Sequence, residues 1–198
     1  MHFFNPKLSM ITFEVSVERE TIQLSMCPAL DPTKQGQPKK GEKIYNWDGN
    51  TVWFSLSPEE CLIALDAIPK LMSGEYVNHR EKNEKWKNIF SLTHFPKQNE
   101  VSKFILDRSK DNQGNYTGSI TCTIIPNKSE NKKSVTYVFR YWEIILVQHF
   151  LRKGAADLPY QAAYQRGIMK MRRKQQHNQE KQGSQQQQQQ QQNNSQQN

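Results

Sequence analysis

Aromatic rings placed near lysines are the residues of this 198-residue chain whose types and spacing could do chemistry. Along Thr51-Val-Trp-Phe-Ser-Leu56, strand alternation sends Val52, Phe54 and Leu56 one way and Thr51, Trp53 and Ser55 the other. Trp53 therefore faces away from the apolar side. An outward indole with lysines near it suits a partner with unpaired bases: any base can stack on a ring, for about 1–3 kcal/mol, while ammonium groups follow the phosphates. Trp53 reads as such a contact or, alternatively, as a subunit-interface or packing residue. Trp86 with Lys87, Lys103 with Phe104, and Tyr116 set rings beside charges on other segments. Lys39, Lys40 and Lys43 flank a turn-rich loop and could clamp a phosphate backbone, although solvated loop lysines are common. Tyr45 joins these candidates, while Tyr45 and Trp47 also read as scaffold and Trp142 as core.

Catalysis has little to stand on. His2, His79, His94, His149 and His177 are scattered, with no HxxxH or HExxH spacing to hold a metal. No GxSxG, Walker loop or GxGxxG occurs. Glu59 and Glu60 adjoin at a helix start, where the dipole favours carboxylates structurally. Glu100, Asp107 and Asp111 could be imagined as a nuclease cluster, but nothing else in the chain supports one. The expectation is a protein that is not an enzyme and needs no cofactor or metal.

The elements that must position these residues form a repeated pattern. Lys43–Leu71 reads as a hairpin, Ile44–Trp47 against Thr51–Leu56 through a type I′ turn at Asp48-Gly49, then a helix. Ser57 as N-cap, Pro58 at the first helical position and Glu60 three residues on make a capping box. Cys61, Leu62, Leu65 and Ile68 form its apolar stripe, and Pro69 ends or kinks it. Upstream, Leu8–Val17 and Ile22–Met26 alternate as two strands, and Pro28–Gly41 is loop. Downstream, Trp86–Phe95, Val101–Asp107, Tyr116–Ile125 and Ser134–Phe139 read as strands and Arg140–Arg152 as a helix. The chain is thus expected to be α+β: two ββββα repeats, about eighty residues apart, forming two packed antiparallel sheets.

The chain divides into a domain over 1–155, a basic helical segment over 156–174 after a Gly154-Ala-Ala-Asp linker, and a Gln/Asn-rich tail over 175–198. That tail has no apolar residue to bury and is expected to be disordered. Of a net charge of +8, the stretch from Arg166 onward holds +5, from six basic residues and one acidic. Such a cluster favours a polyanionic partner, or is simply a solubilising surface. Three cysteines, odd in number and widely spaced, argue against a disulfide framework and for reduced thiols. No signal peptide or membrane-spanning run is apparent. The expected setting is the cytoplasm of a bacterial or phage-infected cell, or its nucleoid.

Tyr45-Asn-Trp47 followed by Val52-Trp-Phe-Ser-Leu-Ser-Pro-Glu-Glu60 resembles the Tyr-Asp-Trp … Phe-Ser-Leu-Ser-x-x-Glu signature of the Whirly single-stranded DNA-binding proteins. The duplicated ββββα order is similar as well, over roughly Leu8–Arg152. The resemblance implies helices at the core of a homo-oligomer, four subunits in the family, with single strands along the sheet edges. It implies roles in DNA replication, recombination or repair, with little sequence specificity and no membrane partner. The family's Lys-Gly-Lys-Ala-Ala-type motif is missing; Pro6-Lys-Leu-Ser9 is at best a remnant, and its Lys7 is kept as a candidate contact. The basic, then Gln-rich tail gives no support to a tail-mediated protein contact. Three alternatives stay open: an RNA-binding or annealing protein of guide-RNA-binding type, a transcriptional coactivator on the same fold, and a scaffold that does not touch nucleic acid.

Overall fold

Where apolar and polar residues alternate, the described residues form eight strands, and the apolar faces of the two resulting sheets share one core. The computed structural model describes residues 1–5, 9–30, 43–78, 84–95, 101–127 and 133–195. The first half contains β1 (His2–Asn5), β2 (Ser9–Ser16), β3 (Thr21–Pro28), a short turn α1 (Trp47–Asn50), β4 (Val52–Leu56) and helix α2 (Pro58–Ser73). In the second half a turn α3 (Glu84–Lys87) precedes β5 (Phe90–His94), β6 (Ser102–Lys110), β7 (Tyr116–Ile125) and β8 (Val135–Phe139). Helix α4 (Tyr141–Ser195) follows. The sheets are antiparallel meanders, β1-β2-β3-β4 and β5-β6-β7-β8, so β4 and β5 each stand at a sheet edge. Two ββββα halves are present, as the sequence leads one to expect.

Some elements lie elsewhere than the pattern suggests. Of Ile44–Trp47 only Tyr45 pairs, in an isolated bridge to Ala29. Asp48-Gly49 does not turn a hairpin, because the Asn46 side chain accepts the Gly49 N–H at 3.2 Å and caps a helical turn instead. The fourth strand of that sheet is His2–Asn5, in register His2↔Thr12 through Asn5↔Ser9. Likewise Trp86 sits in α3, and its strand begins only at Phe90. Pro69 lies inside α2, which continues to Ser73 and closes on Gly74 at φ 82°, a left-handed cap that glycine adopts without strain. Gly154 belongs to helix, not linker; a Cβ there would run into the Ile22 side chain, so the missing side chain lets α4 approach β3. Residues 175–195 continue α4 as backbone helix where no order is expected, and 196–198 lie outside the described residues. Glutamine is a good helix former and can extend a helix that earlier residues nucleate.

The chain separates into two compact units, Met1–Leu158 and Pro159–Asn198. In the first, the duplication is visible atom by atom. Val52, Phe54 and Leu56 of β4 correspond to Val135, Tyr137 and Phe139 of β8, all buried. Glu60 and Glu143 then occupy the same position of the two helices. Glu60 Oε2 accepts the Ser57 N–H at 2.9 Å, and Glu143 Oε2 accepts the Arg140 N–H at 2.7 Å. Each glutamate's second oxygen takes a side-chain donor: His94 Nε2 at 2.7 Å for Glu60, the Tyr137 hydroxyl at 3.0 Å for Glu143. Strand and helix are thereby locked at both corners.

The helices also reach across. Tyr76, just beyond α2, sets its ring edge-on to Phe90 of the second sheet, at 5.9 Å between centroids. On α4, Phe150 meets Phe13 and Trp142 meets Phe3, both in the first sheet. A void of about 10 Å3 at the meeting point is walled by side chains of both halves, among them Phe13, Leu56, Phe104 and Leu151. Burying each such side chain contributes about 1.5–3 kcal/mol, and both halves supply them to one core.

Candidate nucleic-acid interface

The edges β4 and β5 line the same open recess, of about 690 Å3. Trp53, Phe54 and Ser55 line one side, Thr93, His94 and Phe95 the other, with Ser102 and Asn127 completing it. Local alternation places the rim. Phe54, opposite Leu24, turns into the core, which sends Trp53 outward opposite Ser25. The next residues in that row, Thr12 and His2, are joined at 2.9 Å between Thr12 Oγ1 and His2 Nδ1. Small hydroxyl side chains beside Trp53 do not cover its ring, and it is 55% exposed. Across the recess Phe95 is 72% exposed.

The floor is rigid. Phe54 is buried between two rings: His94 stacks on it at 4.2 Å between centroids, and Phe104 lies at 5.6 Å on a nearly parallel plane. His94 is held in turn by Glu60, which ties the recess to the capped start of α2. Cys61, next along α2, has its thiol pushed up to about 12 by burial and then by the Glu60 charge, so it stays protonated at neutral pH. Lys103 pairs across the sheet with Thr93 and is exposed, setting a cation beside the recess. An open slot with two accessible rings, hydroxyls, an amide and a neighbouring ammonium group suits flat, partly polar, anionic guests.

The residues singled out from sequence fall into separate groups. Trp53 lines the recess, and Lys103 is the cross-strand partner of its lining residue Thr93. Phe104, one residue along from Lys103, points to the opposite face and is 3% exposed; it supports the floor and offers no ring to a guest. Tyr45 is 7% exposed and packs with Met10 and Cys27 in a small cluster apart from the main core. Its hydroxyl pKa is raised, chiefly by burial. Lys43, nearby in sequence, is exposed. Trp86 and Lys87 sit in α3, before the Phe90 end of β5, whereas the recess lies at the His94 end. Tyr116 opens β7 nine residues before Ile125, the partner of Lys103, a distance of about 30 Å along an extended strand. The Arg108 guanidinium lies 3.4 Å from the Tyr116 ring centroid, so one face of that ring is already occupied. Lys7, Lys39 and Lys40 lie outside the described residues.

Sequence reasoning missed Phe95, His94, Ser102 and Asn127. An exposed aromatic at a strand end was the available signal for Phe95; the others carry none. Among the described residues no three His, Cys, Asp or Glu gather closely enough to hold a metal ion, and no helix is long and apolar enough to cross a membrane.

No family profile matches the chain, and no curated protein matches it in sequence. Among solved structures it is similar to WHY1 from Arabidopsis thaliana at 12% identity, over 87% of this chain and 89% of that one, with a TM-score of 0.49. It is also similar to WHY3 from Arabidopsis thaliana at 16% identity, over 85% of this chain and 93% of that one, with a TM-score of 0.48. Both are Whirly proteins.

Proposed function

We propose that this chain binds single-stranded nucleic acid, DNA in particular, along the β4–β5 edges, and that it serves DNA replication, recombination or repair as a homo-oligomer. The observation that carries the reading is the uncovered Trp53 ring at the rim of an open recess between two sheet edges, with Phe95 facing it and Lys103 alongside. Bases from an unpaired strand stack on these rings, and ammonium groups neutralise the phosphates. Stacking accepts every base, so sequence preference is weak. Duplex DNA keeps its bases stacked on one another and is discriminated against.

Exposed apolar helix positions support the homo-oligomer. α2 leaves Leu62 and Ile63 exposed, and α4 leaves Ile145 and Leu146 exposed at the matching positions of the repeat, with Trp142 beside them. Apolar side chains repeated on two helices are a surface that another copy of the chain can cover.

Anisotropy of labelled oligo-dT tests the reading. Binding is expected at micromolar protein or below, preferred over duplex and weakened by salt. Trp53→Ala is expected to weaken it by about 1–3 kcal/mol while leaving the denaturation midpoint unchanged. No binding at low salt, or full affinity in Trp53→Ala, would sink it. Competition with a matched RNA separates a DNA binder from an RNA binder.

A further inference from the structure

We propose that the C-terminal unit carries a second contact for the nucleic-acid strand: a cationic stripe on α4 made by Arg166, Lys170, Arg173 and Lys174, accompanied by the exposed rings of Tyr160 and Tyr164. The proposal rests on the nucleic-acid reading above but on different residues, all within Pro159–Asn198.

Helical spacing makes the stripe. Arg166, Lys170 and Arg173 recur at i, i+4 and i+7 and share a face, and Lys174 stands one turn beyond Lys170 on its flank. Tyr160, Tyr164, Ile168 and Met171 recur at i, i+4, i+8 and i+11 along a second line. The stripe cations are all exposed, and along the second line Tyr160 is 80% exposed, Tyr164 and Met171 are exposed and Ile168 is half-buried.

Charge and ring chemistry decide the occupant. No acidic residue occurs between Asp157 and Glu180, so nothing in the sequence interrupts the basic run. Neighbouring cations of the stripe stand at most about 6 Å apart along the helix axis, within one Debye length of about 8 Å at physiological salt, so neighbours act together on a polyanion. An anionic membrane would offer the same phosphate chemistry. Its interfacial helices, however, bury a broad face of Trp, Phe and Leu, whereas this face holds two tyrosines, one isoleucine and one methionine. The tyrosine line lies about a third of a turn round the helix from the cations, so phosphates can follow the stripe while exposed phenol rings on the adjoining flank are available to unpaired bases.

The test uses the full chain and labelled oligo-dT of about 30 nucleotides across a salt series. Wild type is compared with the triple variant Lys170→Gln/Arg173→Gln/Lys174→Gln and with Trp53→Ala. Glutamine matches lysine and arginine in helix propensity, and circular dichroism checks that the helix is kept. The triple variant is expected to bind about tenfold or more weakly, with a salt slope shallower by about 2, from three contacts at about 0.7 each. Trp53→Ala loses affinity with its slope unchanged. A triple variant equal to wild type in affinity and slope, with Trp53→Ala impaired, overturns the stripe and keeps the recess. The reverse pattern keeps the stripe and overturns the recess; no binding by wild type overturns both. If the triple variant keeps its oligo-dT affinity but loses a wild-type ability to co-sediment with phosphatidylserine vesicles, the stripe is a membrane contact and the proposal is wrong.

Discussion

At Glu143 one buried carboxylate, 4% exposed, closes two contacts, accepting the Arg140 N–H and the Tyr137 hydroxyl. Glu143→Gln puts an N–H2 group where one of those donors points, and the expected cost is about 2–4 kcal/mol in urea denaturation. Glu60→Gln disturbs the same corner of the other half, but Glu60 and His94 are partly solvated, so about 1 kcal/mol is expected there. Equal costs at the two sites would show that burial does not govern these corners. The Cys61 thiol gives a pH signature. Its pKa rises from an ordinary 9.0 to about 12 on folding, so the folded state holds the proton more tightly than the unfolded one. That contribution is complete below about pH 9 and is lost as pH climbs toward 12. The denaturation midpoint is therefore expected to fall as pH rises from about 9 toward 12, less so in Cys61→Ala. A midpoint fall of the same size in wild type and Cys61→Ala would remove Cys61 as its cause.

Helix α4 and strand β3 meet where Gly154 lets the Ile22 side chain approach. Gly154→Ala gains about 1 kcal/mol of helix propensity but drives a methyl group into that side chain, and a net destabilisation of about 1–3 kcal/mol is expected. Ile22→Val removes the colliding Cδ1 methyl group. The double variant is therefore expected to be more stable than the sum of the single changes allows, by at least about 0.5 kcal/mol in a double-mutant cycle. Strict additivity would mean that the two residues do not meet. The same contact explains why a glycine followed by two alanines reads as a linker in sequence yet is helix in the fold: small side chains serve close packing as well as flexibility.

The molecule as a whole presents its two helices with matching apolar positions, Leu62 and Ile63 on one, Ile145 and Leu146 on the other. If these faces join copies of the chain, Leu62→Asp with Leu146→Asp is expected to shift light scattering to the monomer mass while circular dichroism is unchanged. An unaltered mass would exclude the helix faces as the interface. Comparing the two forms on oligo-dT then tells whether the recess needs neighbouring copies or works alone.

Sequence alone determined what depends on neighbours along the chain. The two-residue period of Val52–Leu56 fixed that Trp53 and Phe54 face opposite ways, and Ser57, Pro58 and Glu60 fixed where a helix starts. The repeated ββββα order was legible for the same reason. Tertiary structure alone decided what depends on distant segments. Period two tells which residues share a face but not which face is buried, so Lys103 and Phe104 stayed equivalent candidates until β5 and β7 flanked β6. The recess exists only because β4 and β5 both line it, and His94 in its lining is held by Glu60, 34 residues away in sequence. Asn46, by capping a helical turn, left His2–Asn5 to complete the first sheet. Local preferences are short-ranged and written in adjacent residues, whereas a site between two edges is made by packing, which no single stretch encodes.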